Sequence, residues 1–439
     1  MAEQSNIIGS ADNGMFGSKD FDLIALDLIN SGGQTVPLKK IFVELQIFQD
    51  LYSSVMSGMI LINDGNDVFS NFYFVGNEYL SIKLDKPGLK RPFERIFRVY
   101  KTSDRQPTTD SGQSYLLHFC SDELISSQQM LVSKSYKTAK IKDVVSDILT
   151  KELGVGADRI ASLENTSGNF DFIIPNFRPF EAIQWASARA YDQKKFCYFF
   201  FENKEGFNLT SLQTLIKQKP YKKLKYEIKN SDRDPANNKD SIDNLDIITD
   251  FDMLTSISNG AFSSRLMAID IFTQSYQYHD YNLTTAEAQQ NLINKYKPVN
   301  SFKNSKNQNL FEANDSFFRT NLAINDTSSE KSNDIKYWLL PRAMHMVMLN
   351  HFKIRVTVPG DIELKAGDIV EYEFPMFESA NSSGKKLDKM RTGKYLVASV
   401  NHKFSEDVFE SILELVSDSF AEQVPGAKDG LNRLSKKGK

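Results

Sequence analysis

Residues 42–74 read FVELQIFQDLYSSVMSGMILINDGNDVFSNFYF, and the chain continues through GNEYLSIKLDKPG (76–88) to FERIFRVY (93–100). Ile41, Val43, Leu45 and Ile47 share one face of a period-two pattern and Phe42, Glu44, Gln46 and Phe48 the other. That alternation is the signature of a strand half buried in a sheet. After a turn at 50–54, Ile60 and Ile62 alternate with Met59 and Leu61; Leu80, Ile82 and Leu84 then alternate with Tyr79 and Lys83, and Lys86-Pro87-Gly88 stops the run. Phe93, Phe97 and Val99 continue the series, and Tyr115, Leu117 and Phe119 close it after the turn Asp110-Ser111-Gly112. Five strands at this spacing predict a small antiparallel barrel or sandwich.

Working outward, 439 residues set a prior of about three domains, and the composition, 41% hydrophobic and 25% charged, is ordinary for a globular chain. A net charge of −3 argues against a general nucleic-acid binder, which carries a basic excess, but leaves room for a channel that nucleic acid crosses unbound. No apolar run is long enough to span a bilayer, so no membrane insertion is expected. MAEQSNIIGSADNG has no basic segment followed by an apolar core, and maturation in the cytoplasm is expected. Cys120 and Cys197 fall in predicted strands and are expected as reduced core residues.

Residues 1–20 read as a flexible arm, and 21–120 as the first barrel. At Ser121 the spacing turns helical, with Ser121 as the capping hydroxyl and Asp122 and Glu123 in the first turn. Ile141, Val144, Val145, Ile148, Leu149 and Leu153 predict a helix stopped by Gly154; another opens at Pro179. FDFIIPNF reads as a short strand ending at a proline and FCYFFFEN as a buried strand, which makes 121–206 an α/β domain. Residues 207–235 read as the start of a second barrel, completed by 350–420. Between them, 236–349 reads as an insertion packing with the α/β domain. It comprises a helix at 244–258, a tyrosine-rich strand or hairpin at 265–281 and a capping box of Thr284 and Glu287 for a helix through Lys295. A polar loop at 299–334 follows, interrupted by Phe302, Phe311, Phe317 and Phe318 and read either as an interaction arm or as plain disorder, and then a helical run at 343–349. Residues 421–439 read as a flexible basic tail. The predicted fold class is α+β: two small antiparallel tube-type barrels with the α/β domain and the large insertion outside.

The strand FVELQIFQDLYSSVMSGMILIND, the segments GNEYLSIKL and FRVYKTSD, the helix KIKDVVSDILTKELG and the run FRPFEAIQWASARA resemble, in that order, the baseplate hub proteins of contractile-tailed, T-even-like phages, relatives of the hub part of type VI secretion spikes. Lys365-Ala366-Gly367-Asp368, closed later by Gly393-Lys394-Tyr395, resembles the family's second barrel. The resemblance implies a structural virion protein without catalytic turnover, assembled in the host cytoplasm. It implies a homotrimer whose six barrels join a sixfold tail tube to a threefold spike and form part of the DNA conduit. Implied partners are the central spike protein, tail tube or tube-initiator proteins and baseplate wedge proteins. Cyclic closure needs a heterologous contact. The candidate interface strands are Phe42, Val43, Glu44, Leu45, Gln46, Ile47 and Phe48, and Lys353, Ile354, Arg355, Val356, Thr357 and Val358; ordinary pairing inside the chain is the competing role for each. The two barrels are expected to superpose. Because phosphate contacts would arrest a passing genome, lumen-facing residues are expected to be neutral or acidic, with Lys385, Lys386 and the tail lysines turned away.

No zinc-protease, phosphate-loop, nucleophile-elbow or dinucleotide motif occurs, so no catalytic residue, cofactor or metal ligand is assigned. His345 and His351 are poorly spaced for one metal and are expected to be partly exposed. Two further classes stay open: the hub part of a contractile secretion or injection spike, and a carboxylate-dependent wall hydrolase of the tail.

Overall fold

Alternating burial forces the first part of the chain into strands. A computed structural model describes residues 21–423 except 66, 73, 87–88, 90, 110–111, 194, 227–239, 272, 285–287, 289–290, 300–302, 304–307, 323–334, 377–386 and 406–407. The expected arm, residues 424–439 of the expected tail, Lys385, Lys386, Glu287 and Phe302 lie outside the described residues. The first unit contains β1 (Asp22–Ile29), β2 (Thr35–Pro37), β3 (Phe42–Asp50), β4 (Ser57–Asp64), helix α1 (Val68–Phe72), β5 (Tyr79–Asp85), β6 (Phe93–Thr109) and β7 (Gly112–Ser121). They pair antiparallel in the order β2-β1-β5-β6-β7-β4-β3. Leu26, Leu45, Ile60, Leu80, Phe97 and Phe119, one from each long strand, meet in a single buried cluster. Gly58 on β4 makes room for it: a Cβ there would lie 2.2 Å from the Phe119 ring.

The middle unit runs α2 (Asp122–Gln128), β8 (Val132–Ala139), α3 (Ile141–Asp147), β9 (Ile160–Leu163), β10 (Phe170–Phe177), α4 (Pro179–Ser187), β11 (Tyr198–Asn203), β12 (Gly206–Ser211) and α5 (Leu212–Leu215). Helix α3 continues into a π-helical turn, Ile148–Glu152, and Gly154 ends it at φ +66°. Its predicted apolar face is buried against Ile183, Phe200 and Phe207. The Pro175 stop is corrected: β10 runs on to Phe177, with its register slipping between Ile174 and Phe177. The start of the second barrel at 207 is also corrected. Gly206, at φ +131°, folds β12 back onto β11, and β9 pairs on its other side, so β12 completes the middle unit's sheet.

The last part holds β13 (Lys222–Tyr226), β14 (Ser241–Ile242), β15 (Asn244–Thr249), α6 (Met253–Ser258), β16 (Ser263–Asp270), β17 (Ser275–Asn282), β18 (Phe318–Leu322), α7 (Ile335–Met348), β19 (Phe352–Pro359), β20 (Ile369–Glu373), β21 (Gly393–Ser405) and β22 (Phe409–Ser417). Strands pair in the order β14-β13-β20-β21-β22-β19-β15. Asp243, between β14 and β15, donates its N–H to Thr357 on β19 at 2.8 Å, so the segment 241–249 closes the ring around a core that includes Leu224, Ile354, Val370 and Leu413. Expectations differ here in four ways. Residues 244–249 form a strand, because their N–H and C=O groups are taken by β19, and only 253–258 are helical. β13 lies parallel to both neighbours, so this barrel is mixed. Lys295 follows bends, with Tyr296 bridged to Phe420, not the end of a helix. Within the supposed loop, β18 pairs with β16 beside the β16–β17 hairpin, and Phe311 is buried.

Candidate functional site: the seam between the two barrels

Strand β21 is longer than the partner it shares with the rest of its barrel. On one edge, β20 takes Gly393 to Leu396, and β3 takes the remainder with Ser399 opposite Asp50, Asn401 opposite Phe48 and Ser405 opposite Glu44. β22 backs its other edge from Leu396 to Phe404. The two barrels are thereby one continuous sheet. This corrects the use proposed for both candidate strands: β3 lies between β4 and β21, and β19 between β22 and β15, so neither has a free edge to give to a second subunit. Residues 44–50 instead join the barrels inside one chain.

Packing reinforces the join. Phe404 and Phe409 stack at 4.2 Å between centroids, Phe21 meets both edge-on, and with Ile362 these second-barrel side chains complete the core of the first. Gly360 permits this, since a Cβ there would lie 2.1 Å from the Phe409 ring. Leu51, just past β3, donates its N–H to Ala398 and is 1% exposed.

The other face of the seam is polar, and its charges neutralise one another. Lys403 pairs with Glu44 at 3.0 Å, Lys353 with Glu414, and Arg355 approaches Glu414 at 3.8 Å, while Asn401 donates to Gln46. Asp50 stands in the same groove, its carboxyl raised by burial. The middle unit is fixed to the first barrel by Glu202, whose carboxylate accepts from Arg159 (2.6 Å), Ser121 (2.5 Å) and the Met56 N–H (2.9 Å). Ser121 therefore does not cap α2 with its hydroxyl.

Among the described residues no group of His, Cys, Asp and Glu could hold a metal. His345 and His351 are buried, against expectation: α7 packs His345 onto Phe196, and burial pulls its pKa down to about 4. Cys120 and Cys197 are free and buried.

The pairing pattern of the first barrel recurs in the second. Replacing β1 to β7 in turn by β13, β14, β15, β19, β20, β21 and β22 reproduces every neighbour relation. Registers recur as well: Leu80 opposite Phe97 corresponds to Val370 opposite Tyr395, and Met59 opposite His118 to Arg355 opposite Glu414. Both long strands bulge at the same place, between Val99 and Lys101 and between Val397 and Ser399. Both final strands end in a serine followed by an aspartate, at Ser121-Asp122 and Ser417-Asp418. The directions of β1 and β13 differ, since β1 runs antiparallel to its neighbours.

A solved structure shares this architecture. The chain has the fold of the tail protein from Neisseria meningitidis MC58, with 10% identity, 90% of this chain and 96% of that one covered, and a TM-score of 0.54. The 43 kDa tail protein of prophage MuSo2 from Shewanella oneidensis matches at 10% identity over 90% and 98%, TM-score 0.48. An Escherichia coli component of the type VI secretion system matches at 6% identity over 88% and 76%, TM-score 0.40. No protein-family model and no curated protein matches the chain.

Proposed function

We propose that this chain is a structural, non-enzymatic tail protein, the central baseplate hub of a contractile tail, in which three copies close into a ring. The observation that carries this reading is the barrel pattern repeated within the chain and joined by the β3–β21 seam. Two like barrels per copy give six positions in a threefold ring, which suits a sixfold tube on one side and a threefold spike on the other. The partners are then the central spike protein, tail tube or tube-initiator proteins and wedge proteins, in the virion tail. Genome DNA passes through without tight binding. The seam's polar face supports this: Lys353 and Arg355 stand beside Glu414 and Lys403 beside Glu44, which leaves no row of free cations for phosphates among the described residues of this face. Native mass spectrometry of the purified chain, alone and with the spike, tests the ring. A monomer in both states defeats the ring, and clearing of purified cell wall by the protein alone would defeat the non-enzymatic reading. DNA titration at low salt is expected to show no tight, steeply salt-dependent binding.

A further inference from the structure

We propose that β15 of one copy pairs antiparallel with the outer half of β6 of a second copy, repeating between molecules the seam that β3 and β21 make within one. This rests on the ring reading and specifies its interface. β6 is the counterpart of β21. β5 covers its edge only from Phe93 to Arg98, just as β20 covers only the start of β21, while β7 backs it almost throughout. On β21 the uncovered edge is filled by β3; on β6, from Lys101 outward, no described strand fills it, and the side chains there are half-buried or exposed.

β15 is the counterpart of β3 by register as well as by order. Leu45 opposite Ile60 corresponds to Leu245 opposite Val356, Gln46 opposite Met59 to Asp246 opposite Arg355, and Ile47 opposite Gly58 to Ile247 opposite Ile354. Among the described residues β15 pairs with β19 alone, so its second edge is open. Open edges are templates for further pairing. The surroundings are apolar in the way an uncovered interface is: Ile247 and Ile248 are exposed, and Phe251 and Leu254, just past the strand, are 65% and 83% exposed. Leu51 holds the matching place past β3, where Ala398 and its neighbours bury it. Tyr100, the bulge residue that corresponds to Ala398, is itself exposed.

Carrying the seam register across places Ser103 opposite residues 248–249 and Lys101 opposite 250–251 of the neighbour. Each copy gives one β15 and one β6, a heterologous contact that closes only as a ring.

The test is the full-length S103C/T249C variant under mild oxidation. Cys120 and Cys197 are buried, with thiol pKa values pushed up to about 12 and about 11, so they stay out of the reaction. The expected result is a covalent ladder ending at the trimer, absent from either single variant. F251K/L254K is expected to melt like the wild type while its mass by native mass spectrometry drops from trimer to monomer. A wild-type trimer in which neither S103C/T249C nor S103C/I248C crosslinks, or in which F251K/L254K stays trimeric, overturns this interface and leaves the ring standing. A wild type that remains monomeric across concentration and with the spike present overturns both.

Discussion

Asp418 follows β22 with no exposed surface; it accepts from the Ile293 N–H at 2.9 Å and the Ser419 hydroxyl at 2.6 Å. Burial pushes its pKa from 3.8 to about 6, so the folded chain holds this proton more tightly than the unfolded one. Its stabilising contribution is complete below the ordinary carboxylate range and is lost as pH rises through about 6. Asp418→Asn should therefore raise stability at pH 8 by on the order of 2–3 kcal/mol and leave it little changed at pH 4, read from urea midpoints. His345 and His402 act oppositely. Burial lowers each from 6.5 to about 4, so the stability they contribute is full above pH 6.5 and is lost as pH falls toward 4. The fall in stability on acidification should then be steeper in Asp418→Asn than in the wild type, and an unchanged slope would contradict the assignment. Glu202→Ala leaves the buried Met56 N–H without its acceptor and Arg159 with Glu123 (3.2 Å) as its remaining carboxylate, and should cost about 3 kcal/mol by chemical denaturation.

Among elements, those built on local periodicity were legible: β3, β4, β5 and β7 show alternation, and α3 and α4 show three- and four-residue spacing. β15 was not. Leu245, Ile248, Phe251 and Leu254 fall at helical spacing, and the exposed Ile247 and Ile248 take places where water-facing polar residues would have marked a strand. The seam was invisible for a different reason: periodicity tells which face a side chain takes but not which strand lies alongside, and Glu44 and Ser405 meet across most of the chain. Gly206 shows how a single residue sets an element. Gly206→Ala would push a Cβ to within 2.2 Å of the Arg159 carbonyl at a φ that L-residues avoid. A loss of about 2–3 kcal/mol is expected, against about 1 kcal/mol for Gly33→Ala, which has a positive φ but open space. Equal losses at both sites would mean that conformation alone decides.

Across the whole molecule the two barrels are not independent bodies, because Phe404, Phe409 and Ile362 belong to one and are buried in the core of the other. Phe409→Ala should cost about 3–5 kcal/mol and should raise amide exchange in β1 to β7 as well as in β21 and β22. Exchange confined to the second barrel would show that the shared core does not couple them. The repeated pairing predicts that β3 to β7 superpose on β15 and β19 to β22 in an experimental structure, with β1 and β13 as the exception in direction; unrelated backbones would remove the sixfold basis of the ring.

Because β3 and β21 lie side by side over seven facing positions, from Ser399–Asp50 to Ser405–Glu44, the direction of a mechanical load matters. A pull that slides one barrel past the other along the strands strains all the rungs of the ladder at once, whereas a pull at right angles opens them one after another. In the contractile tail proposed above, a sheath driving its tube forward would be resisted best where these strands run along the line of thrust, and the same seam would part most readily under a sideways wrench.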